Sequence, residues 1–312
     1  MTPTVFIDGA AGTTGLEIHQ RLADRTDITL AVLDDQRRKD ERARAEALND
    51  ADFVILCLPD DAARDAVAMI RNDRTRVIDA STAHRVADGW TYGFPELSPV
   101  QLARIADAAR VSNPGCYPTG FLALIAPLVR AGLVPADWPL SVNAASGYSG
   151  GGKAMIAEFE PGPPPTAYRA YALTAAHKHV PEMQAHASLS RPPIFLPSVA
   201  NRYRGMIVEV PLALAAMPKL PLHGDLLAAL HAAYADSPLI EVVPNDAAMV
   251  MIEENAGTDQ MTLRVAGTAI DGQARLIATL DNLGKGASGA AVQNLNIMAG
   301  LDPLAGLSLR GN

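Results

Sequence analysis

Thr4-Val5-Phe6-Ile7-Asp8-Gly9-Ala10-Ala11-Gly12-Thr13-Thr14-Gly15-Leu16 runs from a short apolar stretch through three glycines at period three into helical spacing. A buried strand, a glycine turn and a helix in that order begin a βαβ unit. Glycine lets the backbone turn tightly and approach a pyrophosphate, and the helix N-terminus offers it free N–H groups. The G-x-x-G-x-x-G spacing departs from G-x-G-x-x-G, so the place of the loop at the first strand–helix junction carries the reading. A turn cluster without a ligand is the plainer alternative. The candidate cofactor contacts are Gly9, Gly12, Thr13, Thr14 and Gly15.

Working outward, residues 28–33, 52–58 and 76–80 read as further strands, and 40–49 and 60–71 as helices between them. Strand–helix alternation predicts a Rossmann-type, doubly wound parallel sheet in an α/β fold. After about residue 111 the pattern changes. An apolar helix is expected over 119–130, then longer strands over 139–145, 206–211, 261–269 and 275–281, with proline-rich loops between them. That reads as an α+β domain with a largely antiparallel sheet. The expected division is a dinucleotide-binding domain over 1–112 and a catalytic and oligomerisation domain over 113–285, with a helix within about 286–312 packing back on the first.

The chain has 312 residues, more than one core usually serves. Apolar residues make 49% and charged residues 19%, an ordinary globular balance. The formal net charge is −8, and the densest basic run, Arg37-Arg38-Lys39, is interleaved with Asp34, Asp35, Asp40 and Glu41. Phosphate-driven nucleic-acid binding is therefore not expected. An acidic residue after the second strand favours NAD and an arginine favours the 2′-phosphate of NADP. Both stand there, and Arg37 is the candidate for the phosphate. Two cysteines make no disulfide framework, and no apolar run is long enough to span a bilayer. The expected setting is the cytoplasm.

Ser112-Asn113-Pro114-Gly115-Cys116-Tyr117-Pro118-Thr119-Gly120 is the most informative stretch. A turn followed by an apolar helix puts Cys116 near a helix N-terminus, where a thiolate is favoured and could attack an activated acyl carbon. Cys57, inside the apolar Val54-Ile55-Leu56-Cys57-Leu58, is expected to be inert.

That cysteine stretch resembles the nucleophile motif of the N-acetyl-gamma-glutamyl-phosphate reductases, relatives of aspartate-semialdehyde and glyceraldehyde-phosphate dehydrogenases. Further matches lie in the family's order: the Gly9 loop, Ser81-Thr82-Ala83-His84-Arg85, Ser146 through Lys153, His177-Lys178-His179-Val180-Pro181-Glu182, and Asn201-Arg202-Tyr203-Arg204-Gly205. They cover most of the chain, and its length is similar to the shorter subfamily.

The resemblance implies an NADP(H)-dependent reduction of an acyl phosphate through a Cys116 thioester, in arginine biosynthesis. No metal is expected, because no third or fourth ligand lies at a helpful spacing from His177 and His179. One histidine of the pair would be the acid/base, His179 preferred and His177 second. Arg85, Lys153 and Arg204 would bind the substrate, and Ser81, Ser149, Gly150 and Asn282 would join the cofactor contacts. A homo-oligomer is expected. Aspartyl and N-acetylaminoadipyl phosphates are the alternative substrates, and a dinucleotide sensor without turnover is the alternative class.

Overall fold

The computed structural model describes residues 2–34, 36–244, 247–267 and 272–311, in two compact units. The first comprises Met1–Pro95, Val100–Gly115 and Ala287–Leu307, and the second Glu96–Pro99, Cys116–Gly286 and Ser308–Asn312.

The first unit contains β1 (Thr4–Asp8), α1 (Thr13–Leu22), β2 (Thr29–Ala31), α2 (Glu41–Asp50), β3 (Phe53–Leu56), α3 (Asp60–Met69), β4 (Arg76–Asp79), β5 (Thr91–Tyr92), α4 (Gln101–Asp107) and β6 (Arg110–Ser112). Its sheet has the order β2-β1-β3-β4-β6-β5, and every pairing is parallel. Both faces are covered, so β3 reads Phe-Val-Ile-Leu without a polar residue. One core gathers Ile18, Ile55, Ile78 and Ile105 and receives Val292 and Leu295 from near the C-terminus; the other lies around Leu48, Val54 and Ala66.

The second unit contains α5 (Cys116–Arg130), β7 (Ser141–Gly147), α6 (Gly152–Phe159), β8 (Tyr168–Ala170), α7 (Val180–His186), β9 (Ile194–Ala200), β10 (Met206–Leu212), α8 (His223–Tyr234), β11 (Ile240–Val242), β12 (Met261–Ala266) and β13 (Ala274–Leu280). The chain then returns to the first unit as α9 (Gly289–Ala299). The second sheet has the order β11-β12-β13-β10-β7-β9-β8. Among the described residues it is antiparallel except where β7 meets β9 and β11 meets β12. The expected 261–269 strand is described as far as Ala266, and its last expected residue, Ala269, lies outside the described residues.

Helix α5 is the spine of this unit. Phe121, Leu122, Leu124 and Leu128 are fully buried, each stabilising by about 1.5–3 kcal/mol. A Cβ on Gly120 would stand 2.8 Å from Val208, so glycine lets the helix lie close on β10. The helix begins at Cys116, earlier than the expected residue 119. Pro118 does not prevent this, because proline is tolerated in a first turn, where its missing N–H has no intrahelical partner.

Candidate active site

In the first unit the glycine loop joins β1 to α1. Gly9 has φ +94°, and a Cβ there would stand 2.4 Å from the Cys57 carbonyl oxygen. A Cβ on Gly15 would stand 2.4 Å from the Gly9 carbonyl oxygen. Those two glycines are demanded by the loop itself. Gly12 is different: its φ is −73°, and the nearest atom to an added Cβ, the Gly9 oxygen, lies at 3.4 Å. Gly12 precedes α1 without a side-chain cap, and the buried Thr13 Oγ1 has no hydrogen-bond partner among the described residues. An open glycine and an unpaired hydroxyl at an uncapped helix start fit a pyrophosphate. Gly12→Ala is therefore expected to fold with parent stability and to bind NADPH about tenfold more weakly, read by fluorescence titration.

A cleft of about 280 Å³ adjoins the loop, lined by Gly9, Ala10, Val32, Leu33, Arg38 and Arg44 among others. Of the basic run, Arg38 lines the cleft; Arg37 is exposed, and its backbone N–H donates to Asp34. Arg44 reaches from α2 to the Asp8 carboxylate with bonds of 2.7 and 3.3 Å. The basic side chains and glycine floor fit the adenosine half of a phosphorylated dinucleotide.

At the end of β4, the fully buried Asp79 accepts from the Ser81 hydroxyl at 2.7 Å and faces His84 Nδ1 at 2.6 Å. His84 stacks on Trp90. The buried Arg85 donates to the Asn113 carbonyl at 3.0 Å, three residues before Cys116 in the chain.

In the second unit Cys116 is half-buried at the first position of α5. Cys57 contrasts with it: burial, with Asp79 and Asp8 nearby, pushes that thiol up to about 12. Next to the nucleophile candidate, the Tyr117 hydroxyl donates to the Ser198 carbonyl and accepts from Tyr171 at 3.3 Å. Burial raises both phenols, and the nearness of Cys116 adds to it.

The histidine pair packs on this cluster. The His177 ring lies edge-on to Tyr117, Tyr171 and Phe195, and 4.7 Å from the His179 ring. His179 is buried, 5.9 Å from the Tyr117 ring, and its backbone N–H donates to His177 Nδ1 at 3.2 Å. His179 is the residue before α7, and Pro181 in the first turn suits a helix start there. Burial, with Lys178 beside it, lowers His177 to about 4 from 6.5. The unfolded chain thus takes up this proton below about 6.5 and the folded one does not until about 4. Stability is expected to fall as pH drops through that window, and His177→Gln to reduce the slope in urea titrations.

The loop after β7 is pinned to the connection between β9 and β10. Ser149 bonds the Tyr203 carbonyl, Asn282 Nδ2 donates to Ser149 Oγ at 2.8 Å, and Asn282 Oδ1 accepts the Gly205 N–H. Asn282 is thus a clamp with both ends engaged inside the protein. Gly150 stands over it, an added Cβ lying 3.1 Å from Ser146 Oγ. Arg204 faces the buried Asp281 at 3.4 Å, and Lys153 is exposed on the first turn of α6.

Within the second unit the structure therefore gathers Cys116, His177 and His179 around Tyr117, and joins Ser149, Gly150, Arg204 and Asn282 through Asp281 and its neighbour. Sequence reasoning missed Tyr117, Tyr171, Arg38, Arg44 and Asp281. Tyr117 stands inside a matched motif and Arg38 in the basic run after the second strand, while Tyr171, Arg44 and Asp281 carry no such local signal. Among the described residues no group of three or more His, Cys, Asp or Glu could hold a metal ion. No described helix is long and apolar enough to cross a membrane.

Two family models match this chain: the semialdehyde dehydrogenase NAD binding domain over residues 4–105, and the semialdehyde dehydrogenase dimerisation domain over residues 116–282. N-acetyl-gamma-glutamyl-phosphate reductase of Brucella anthropi is 51% identical over 309 residues, covering 96% of this chain and 99% of its own. The reductase of that name from Chelativorans sp. is 52% identical over 305 residues, covering 96% and 98%. Among solved structures, aspartate semialdehyde dehydrogenase II from Vibrio cholerae has a TM-score of 0.73 at 18% identity, covering 96% of this chain and 99% of that one. The Candida albicans aspartate semialdehyde dehydrogenase with NADP has a TM-score of 0.68 at 13% identity, covering 96% and 99%. The solved structures share the fold; the two reductases share half the sequence along nearly its whole length, and the chain belongs to the semialdehyde dehydrogenase family, with the N-acetyl-gamma-glutamyl-phosphate reductases.

Proposed function

We propose that this protein reduces N-acetyl-gamma-glutamyl phosphate to N-acetylglutamate 5-semialdehyde and phosphate, a step of arginine biosynthesis, with Cys116 as nucleophile. The observation that carries the reading is Cys116 at the first position of a buried helix, with a histidine pair packed on the next residue. The helix terminus favours the thiolate. That sulfur attacks the gamma-acyl carbon, the carbon–oxygen bond to phosphorus breaks, and phosphate leaves an acyl thioester behind. The Gly9–Gly15 loop and the Arg38–Arg44 cleft would hold NADPH, which when bound would supply the hydride for reduction of the thioester to a thiohemiacetal. His179 takes the thiol proton and returns one to the developing oxyanion. His179 then takes the hydroxyl proton back as the carbon–sulfur bond breaks, which frees the aldehyde and restores the thiolate.

His179 suits that role better than His177, because a base lowered to about 4 holds a proton too weakly to exchange it near neutrality. Arg85, Lys153 and Arg204 are the proposed partners of the substrate's phosphate and carboxylate. The reverse assay tests the assignment: N-acetylglutamate, aspartate and N-acetylaminoadipate semialdehydes, each with phosphate and NADP+. Phosphate-dependent NADPH formation fastest with the first is expected. Binding of NADP+ with no such reaction would leave only the sensor reading.

We also infer a homo-oligomer formed through the second sheet. Leu196 on β9, Asn143 on β7 and Glu209 on β10 stand side by side in register, and Ile194 and Leu196 are 58% and 50% exposed. A cleft of about 370 Å³ on this face includes Asn143, Tyr168, Ile207 and Met249. An open sheet face that exposes Ile194, Leu196 and Tyr168 beside polar residues fits a self-complementary contact. Leu196→Asp is expected to move the particle mass measured by light scattering to that of one chain.

A further inference from the structure

The chain from Asp281 to Ser288 makes an unusual turn beside Cys116. Gly284–Ser288 is a single wide π-helical turn, a rare geometry that occurs frequently at functional sites. Its entrance is tied by one carboxylate. Asp281, fully buried, accepts the Leu283 and Gly284 N–H groups on Oδ1, and the Gly257 N–H and the Arg204 guanidinium on Oδ2. Its backbone carbonyl accepts the Gly286 N–H at 2.9 Å.

The middle of the turn is held by an ion pair. Lys285, 1% exposed, places Nζ 2.8 and 2.9 Å from the two oxygens of Glu96. Taking both charges out of water offsets much of their attraction, so such a pair contributes little net stability over apolar residues of the same size. Its distinctive contribution is orientation: a two-pronged bond fixes where the backbone of residue 285 lies.

What that placement determines is the next residue. A Cβ on Gly286 would stand 2.9 Å from Cys116 Cβ and 3.3 Å from Cys116 Cα. The backbone of Gly286 is therefore the wall against which Cys116 rests, and even a methyl group there would displace the cysteine. Through Asp281 the same turn also holds Arg204.

We propose that the Asp281–Gly286 turn, locked by the Lys285–Glu96 pair, is a positioning device that seats the Cys116 sulfur for attack, in register with Arg204. This rests on the reading of Cys116 as nucleophile. Lys285, Glu96 and Gly286 are positioning residues, acting through Cys116.

Two variants test it. Gly286→Ala is expected to lower kcat about 100-fold with KM within about threefold, the signature of a misplaced reacting group. Iodoacetamide alkylation of Cys116, followed by peptide mass spectrometry, is expected to change rate by about tenfold. The double variant Lys285→Met with Glu96→Leu removes both charges of the pair together. It is expected to keep the parent melting temperature while showing the same kcat loss and altered alkylation. If the double variant melts as the parent does and keeps kcat and alkylation rate, the pair is packing only and the proposal fails. If Gly286→Ala does not fold, the double variant decides alone; if neither folds, the turn is a stability element and the proposal is overturned. Alkylation needs no acyl phosphate, so a wrong substrate assignment would leave this comparison intact.

Discussion

Cys116→Ala is expected to turn over less than about one ten-thousandth as fast as the parent while binding NADP+ equally well. The size follows from covalent catalysis: without the sulfur there is no thioester, and direct hydride delivery to an acyl phosphate must proceed unaided. Retained binding is expected because the residues proposed to hold the cofactor, the Gly9–Gly15 loop and the Arg38–Arg44 cleft, do not include Cys116. Alanine suits the first position of α5, so the helix should persist. Cys57→Ala is the control. Its thiol, pushed up to about 12, is expected to leave turnover within about twofold of the parent. Steady-state rates together with NADPH fluorescence titration check all three statements.

His179→Asn is expected to lower kcat by about 100- to 10,000-fold and to remove a limb of the pH–rate profile. Asparagine keeps a polar group in the buried place before α7 but cannot exchange a proton near neutrality. His177→Gln is expected to cost about tenfold or less, with the shape of the profile retained. The difference comes from the surroundings. His177 is walled by Tyr117, Tyr171 and Phe195, which disfavour its charged form, and its Nδ1 accepts a backbone N–H. It supports the turn that carries His179. The opposite ranking of the two variants would reassign the acid/base to His177.

The parallel sheet was legible because strands buried on both faces leave unbroken apolar runs, as Phe53 to Leu56 do. The glycine turn before α1 and the helix start near Cys116 were legible because they are local: a strand, a turn and a helix start lie within a few residues. Strand β9 was hidden by Pro197, which argues against a strand in sequence yet sits inside the sheet, paired with Ala144. Helix α8 was hidden because it begins after Leu222, a poor capping residue whose N–H is bonded by Asp225. The seat of Cys116 was beyond sequence reasoning for another reason. Asp281, Lys285 and Gly286 lie far along the chain, and only the packing of the turn on α5 brings Gly286 against the cysteine. Spacing rules describe neighbours along an element and carry no signal for such a meeting.

The central claim is that Cys116 carries the acyl group. The direct measurement is rapid mixing of the protein with N-acetyl-gamma-glutamyl phosphate without NADPH, acid quenching, and peptide mass spectrometry. The account predicts one N-acetylglutamyl group on the peptide containing Cys116, removed when NADPH is added before the quench. An unmodified Cys116 peptide under conditions that support turnover, or the acyl group on another residue, would contradict it.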